Sequence, residues 1–339
     1  MEHLPFANGH AWLLSETNEL AKHVRAQMCR MWGTDPTTDR FPGPQPVSIE
    51  RKHIPLLKSQ RYLVTEKTDG ERFLLVVTDL EMDDNSYAVL VNRKNQVYLI
   101  DAAVQATVCK GTILDGELIR TKQNRYEFLV FDCVYAFGES CMHSAFETRV
   151  QKAAEVVSNI TDCRLMNIQI KEFVKLTELE RYLTHVMPKL THEVDGLIFT
   201  PCALPVGTGT NYSMFKWKPR YKNTVDFLLH HRQHEKKTDG SWVYNAKIMK
   251  KPKNSSKSYP TILRRVHVYV DSALHEIIQS TTNDVIMECE NIALSPEESW
   301  KGLFVRGDKT YPNSMLTYSK TKLNIQENIE PHEFYHSQG

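Results

Sequence analysis

The chain has 339 residues, enough for about two domains with substantial cores. Its 42 Lys and Arg against 41 Asp and Glu leave a net charge of +1, so bulk charge names no partner. At 41% hydrophobic and 24% charged it is ordinary globular material, which excludes disordered, collagenous and coiled-coil classes. No run approaches the ~18 consecutive apolar residues of a membrane span. The start, Met1-Glu2-His3-Leu4-Pro5, lacks the basic and apolar regions of a secretory signal, so an intracellular protein is expected. Seven scattered cysteines, never spaced Cys-x-x-Cys, predict reduced core thiols and neither a disulfide framework nor a zinc site.

In chain order, residues 16–32 carry Leu20, Val24, Met28 and Met31 at helical spacing, with Ser15 as the expected N-cap and Gly33 at the end. The prolines of Phe41–Pro46 forbid a helix and mark the entrance to a main domain. β-like runs follow at 61–67, 72–79, 86–92, 96–100, 112–119, 126–135, 194–200 and 213–218, with helical intervals at 144–158 and 176–188. Strands first and helices between predict an α+β domain on antiparallel sheets. From residue 224, five short β-like pieces in under a hundred residues, interrupted by a basic Ser-rich loop at 250–259, fit a small barrel. Between Lys216 and Arg265, 14 Lys and Arg face 3 Asp and Glu, a local net charge of 14 − 3 = +11, which suits a polyanion.

Several residues are equipped for chemistry. Lys67-Thr68-Asp69-Gly70-Glu71-Arg72 places an amine between two β runs. An unprotonated amine can attack phosphorus, and cationic neighbours such as Arg72, Lys216 and Lys218 would lower its pKa. The plainer reading is an Asp-Gly hairpin, and for the second copy, Lys237-Thr238-Asp239-Gly240, that reading is preferred because no arginine follows. Asp115 and Glu117, two apart on a strand, share one face and can hold a metal or ribose hydroxyls. Asp195-Gly196 reads the same way. Lys216 and Lys218 put two ammonium groups on one strand face, suited to a phosphate. Phe131, before Asp132, could stack on a base, although an isolated core aromatic is the commoner case. Arg93 ends a β run within reach of a ribose or phosphate. Arg306-Gly307-Asp308-Lys309-Thr310-Tyr311-Pro312-Asn313 fixes a string that chance yields in roughly one chain in several thousand.

Taken in order, Phe41–Ile49, Lys67–Arg72, Asp115–Glu117, Phe131-Asp132, His192–Phe199, Phe215–Pro219 with Thr224–Phe227, and Arg306–Asn313 resemble the mRNA capping enzyme guanylyltransferases, members of the covalent nucleotidyltransferase superfamily shared with ATP-dependent DNA ligases and RNA ligases. The resemblance runs from about Phe41 to about Ile329, and its close, Leu316–Ile329, is similar to the compact chlorella virus form. It implies an α+β nucleotidyltransferase domain over residues 1–223, with a helical segment at 1–40. An OB-fold over 224–316 and a C-terminal helix at 317–339 returning to the first domain would complete the chain. Lys67 would attack the α-phosphorus of GTP, release pyrophosphate and pass GMP to a 5′-diphosphate RNA end. Thr68, Arg72, Arg93, Glu117, Phe131, Lys171, Lys216 and Lys218 would contact the nucleotide, with Lys171 reading the guanine edge. Asp226, Arg306, Asp308 and Lys309 would orient pyrophosphate, and Glu117 and Asp195 would hold Mg²⁺ or Mn²⁺. Separate RNA triphosphatase and cap methyltransferase partners, a polymerase contact, no membrane, and a nuclear or viral replication setting are further implications. An ATP-dependent polynucleotide ligase and an inactive RNA-binding module of the same fold are the competing readings.

Overall fold

The computed structural model describes residues 1–35, 40–80, 83–253 and 255–335, and the chain divides into two compact units. The first comprises residues 1–47, 53–217 and 331–339, the second residues 48–52 and 218–330.

Two large sheets, with a two-stranded one of Ala102–Val104 and Ile160–Cys163, build the first unit. In the nine-stranded sheet, Glu71–Leu80 lies between Asp83–Asn92 and Thr112–Arg120, with Tyr126–Ala136 next in order. The run Phe73 to Val77 is apolar at every position because both of its faces are covered. Phe73, Leu75 and Val77 join a core with Ala153 and Val156 of the helix Phe146–Ser158. Leu74 and Val76 join another with Leu20, Val24 and Met28 of the helix Glu19–Trp32. In the five-stranded sheet, Tyr62–Thr68 lies between Val174–Lys175 and Val194–Pro201, followed by Thr210–Trp217 and Gln45–Ser48.

The sequence expectations meet four local differences. The first helix begins at Glu19 and is capped by Asn18, whose side chain accepts from the Ala21 amide at 3.2 Å, not by Ser15. Residues 2–13 form a hairpin, Glu2–Phe6 with Gly9–Leu13, that extends the large sheet. Its turn is Ala7-Asn8, and the Asn8-Gly9 dipeptide was the available signal. The helical interval at 176–188 is a broken series of 3₁₀, α and π turns from Leu176 to Lys189, with Pro188 opening the last of them. Finally, Lys67–Arg72 is no hairpin: Tyr62–Thr68 and Glu71–Leu80 belong to different sheets, and Asp69-Gly70 carries the chain between them. A β-carbon on Gly70 would lie 2.6 Å from the Leu118 carbonyl oxygen, so the crossing demands glycine. The second Lys-Thr-Asp-Gly, at 237–240, does form the expected hairpin between His234–Lys236 and Trp242–Lys250.

In the second unit the strands run Thr224–Leu229, Val285–Ala293, Glu298–Val305, Tyr259–Val270, Trp242–Lys250 and His234–Lys236. A further pairing of Thr224–Leu229 with Trp242–Lys250 closes a five-stranded barrel around Phe227, Tyr244 and Trp300, the OB-fold expected. The division between units falls at Trp217/Lys218, ahead of the expected 223/224. The helix Met315–Glu327 belongs to the barrel unit, because it buries Tyr318 and Ile325 in the barrel core. Only the chain after Glu330 returns to the first unit, where Phe334 packs on Phe199 and Trp217. All seven cysteines are free, five of them buried. Among the described residues, no helix is long and apolar enough to cross a membrane.

Candidate active site

Lys67 is the last residue but one of the strand Tyr62–Thr68, with about a quarter of its side chain exposed. Its Nζ donates to Asp195 Oδ2 at 3.1 Å. Asp195 reaches it through a β-bulge: Val194 pairs with Thr68 and Gly196 with Lys67, which leaves Asp195 as the extra residue. Gly196 has φ +147°, a conformation that side chains rarely adopt, so the bulge also depends on glycine.

Across on the large sheet, Arg72 lies opposite Glu117 and diagonal to Asp115. The guanidinium binds Asp115 bidentately, Nε to Oδ1 at 2.8 Å and Nη2 to Oδ2 at 2.5 Å, while Nη1 donates to the Pro44 carbonyl at 2.7 Å. It also lies against two rings, 5.2 Å from the Phe41 centroid and 5.4 Å from that of Phe131. The proline-rich entry segment is therefore part of the site, a role that its sequence alone did not disclose. Phe131 is itself a bulge residue, standing between the Val130–Gly116 and Asp132–Asp115 pairs. Lysine has neither the planar fork nor the stacking face, so Arg72→Lys is expected to cost about 2–3 kcal/mol of unfolding free energy, measured by urea titration.

Burial pushes the Glu117 carboxyl above its ordinary range, against the pull of Lys171, Lys67 and Arg72. Desolvation and the Arg72 guanidinium lower the Arg93 pKa, with Glu117 and Asp115 opposing, which places Arg93 electrostatically in the same cluster. Asp115 and Glu117 do share a face as expected, but Asp115 is committed to Arg72 and not offered as a paired metal ligand. The carboxylates acting on Lys67 are Asp195 and Glu117. Of the expected cationic neighbours, Arg72 is neutralised by Asp115, and Lys67 itself donates to an anion, Asp195. Lys216 lies on Thr210–Trp217, where it pairs in register with Ile198, half-buried between the buried Phe215 and Trp217. Lys218 is the first residue past the unit boundary.

Lys171 is more enclosed than expected of a residue that reads a base. Its Nζ donates to the Glu66 carbonyl at 2.7 Å and Thr68 Oγ1 at 2.5 Å, and it lies 3.2 Å from Glu66 Oε1. These contacts occupy its three protons. Glu66, absent from the sequence reading, is the centre of this network, with Thr65, Tyr182 and His192 around it. Burial would raise its pKa, yet the Lys171 ammonium, the His192 ring 3.5 Å away and the hydrogen bonds of Tyr182 and Thr65 bring it down to about 2. A depressed carboxyl stabilises the fold above its ordinary value of 4.5 and loses that contribution as pH falls toward 2. Unfolding free energies from urea titration are therefore expected to drop between about pH 4.5 and pH 2, by up to about 3 kcal/mol, and Glu66→Gln is expected to flatten that limb.

In the barrel unit, Arg306 gathers three carboxylates. It donates to Glu288 Oε2 at 2.7 Å, to Asp226 Oδ1 at 3.3 Å and to both oxygens of Asp308 at 2.8 Å. The hydrogen-bonded Arg306 holds Asp308 down at about 2. Asn313, the last letter of the motif, ties this loop to the Asp226 strand through three hydrogen bonds of 2.8–3.3 Å. Lys309 adds positive charge near Asp226 and Asp308. The structure thus brings Asp226, Arg306, Asp308 and Lys309 together, adds Glu288, and leaves the cluster anionic by one charge.

Asp195 and Glu117 fit a magnesium-type site, which takes one or two carboxylates and leaves the other positions to phosphate and water. Among the described residues, the metal-capable triple is elsewhere, His230, His231 and Asp284. There Lys247 lies 3.7 Å from Asp284 and Arg232 donates to His231 Nε2, neighbours that oppose a cation.

The mRNA capping enzyme catalytic-domain family matches residues 13–220, and the mRNA capping enzyme C-terminal-domain family matches residues 222–335. The mRNA-capping enzyme subunit alpha of Schizosaccharomyces pombe is 30% identical over 90% of this chain and 81% of its own length. That of Saccharomyces cerevisiae is 29% identical over 64% of this chain, which spans 53% of the yeast protein. A mycobacterial DNA ligase D complexed with ATP and MES superposes with a TM-score of 0.44 at 14% identity, covering 79% of this chain and 95% of that one. With both family matches spanning nearly the whole sequence, the chain belongs to the mRNA capping enzymes, the guanylyltransferases of the covalent nucleotidyltransferase superfamily.

Proposed function

We propose that Lys67 Nζ attacks the α-phosphorus of GTP, forming a P–N bond as the bond to the β-phosphate oxygen breaks and pyrophosphate leaves. A terminal phosphate oxygen of a 5′-diphosphate RNA then attacks the same phosphorus, the P–N bond breaks, and the lysine regains its proton. The observation that carries this reading is Lys67 hydrogen-bonded to Asp195 beside the braced Arg72–Asp115 pair. An ammonium cannot attack, so one proton must leave Lys67 before the first step, and Asp195 is the acceptor already in hydrogen-bond contact. When bound at Asp195 and Glu117, Mg²⁺ or Mn²⁺ would supply charge for the α-phosphate oxygens.

Arg72 and Arg93 serve the ribose and phosphate side, Phe131 stacks on the base, and Lys216 with Lys218 stabilises charge that grows on the α-phosphate. Thr68 acts indirectly by holding Lys171, and Lys171 can read the guanine edge only by exchanging one of its present partners. Asp226, Arg306, Asp308 and Lys309 orient pyrophosphate. Because Arg306 is now neutralised, Asp308, the most exposed of its three carboxylates, would have to release it. Separate RNA triphosphatase and cap methyltransferase partners and a nuclear or viral replication setting follow from the same reading.

The test is incubation with α-labelled GTP or α-labelled ATP and Mg²⁺, then denaturing electrophoresis. Acid-labile label from GTP alone supports the proposal. Label from ATP alone would make the chain a ligase, and label from neither, in folded protein, an inactive binding module.

A further inference from the structure

The guanylyltransferase chemistry uses none of the cations concentrated in one part of the barrel. From Gly240 to Val270 the sequence has seven Lys and Arg and no Asp or Glu. Lys247 is matched to Asp284. The other six, Lys250, Lys251, Lys253, Lys257, Arg264 and Arg265, are all exposed, and none makes an ion pair among the described residues. They lie on one hairpin, Trp242–Lys250 with Tyr259–Val270, and its connecting loop. The loop is held by its own bonds, with the Lys257 amide on Ser255 Oγ at 3.0 Å and Ser255 Oγ on the Lys257 carbonyl at 3.0 Å.

Two features make this more than a solvated charge run. Successive residues of a strand normally point to opposite faces, so Arg264 and Arg265 should not both face solvent. A wide bulge allows it: Asn245 pairs with His267 and Lys247 with Ile262, so Leu263–Val266 stand against Ala246 alone, and Arg265 takes φ +59°. The second feature is Tyr259, 51% exposed and directly across from Lys250. A flat ring beside a cation on a barrel strand offers a stacking surface and a phosphate partner together, the pairing by which barrels of this class take single-stranded nucleic acid.

We infer that this hairpin is a docking surface for the body of the acceptor RNA, with the lysines and the Arg264-Arg265 bulge on its phosphates and Tyr259 against a base. The inference rests on the RNA-capping reading and adds where the RNA is held.

The experiment compares wild type with Lys250→Gln/Lys251→Gln/Lys253→Gln, the same triple to Arg, Arg264→Gln/Arg265→Gln, and Tyr259→Ala. Two readouts are used: lysyl-GMP formation from GTP, and binding of a fluorescent single-stranded 5′-diphosphate RNA of about twenty nucleotides across a salt series. Expected results are unchanged lysyl-GMP formation in every variant, which also reports folding. RNA affinity should fall about tenfold or more in the Gln triple, with a salt slope shallower by about 2, since each phosphate contact contributes about 0.7. The Arg triple should bind like wild type, and Tyr259→Ala should lose about tenfold with the slope unchanged. Unchanged affinity and slope in both Gln variants would overturn the inference. So would lost binding of poly-glutamate with RNA binding intact, which would assign the surface to an acidic protein. Failure of wild type to form lysyl-GMP would overturn the proposed function instead, while the RNA-binding readout continues to test the hairpin.

Discussion

Lys67→Ala is expected to take up no label from α-labelled GTP, less than about a thousandth of wild type, while keeping its fold and its capacity to bind GTP. Covalent catalysis has no substitute for the attacking atom, and alanine offers none. The fold should survive because the Lys67 side chain is partly exposed and its ion pair with Asp195 is not deeply buried. A circular dichroism melt with equilibrium GTP binding, run beside the labelling assay, checks both halves. Residual label on Lys67→Ala would place the nucleophile elsewhere, and loss of GTP binding would make Lys67 a binding residue.

Asp132→Ala is expected to destabilise the first unit by about 3–5 kcal/mol, the range for removing one partner of a buried ion pair. Arg149 is only 2% exposed and binds Asp132 through Nε at 2.7 Å and Nη2 at 3.1 Å. Its Nη1 donates to the Ser144 and Leu204 carbonyls at 2.8 and 3.1 Å, so the guanidinium ties a helix and two loops to the strand that carries Phe131. Without Asp132 the charge remains buried and uncompensated. Replacing both partners, Asp132→Leu with Arg149→Met, is expected to recover much of the loss, because the desolvation cost of the charge goes with it. Urea unfolding measures both. A cost for Asp132→Ala below about 1 kcal/mol would mean that water reaches the pair.

The elements and the chemical parts were legible because their signals are local. The apolar run from Phe73 to Val77 announces a strand covered on both faces, and the sequence alone determined the α+β class, the barrel and the nucleophile motif. The assembly of the site was not legible, since its contacts join residues far apart in the chain. Lys67-Thr68-Asp69-Gly70 and Lys237-Thr238-Asp239-Gly240 carry the same four letters. The first crosses between sheets with Gly70 pressed on the Leu118 carbonyl, whereas the second turns a hairpin with open space around Gly240.

Likewise, nothing near Phe41 or Pro44 states that they brace Arg72, and nothing near Glu66 states that Lys171 and Tyr182 will close on it. The bulges that turn Phe131 and Asp195 toward the site are register events, decided by how neighbouring strands pair and not by their own letters. Sequence determined which reactive groups the protein owns. Tertiary structure decided which charge neutralises which, because in a buried site the nearest opposite charge dominates and only the folded chain sets that distance.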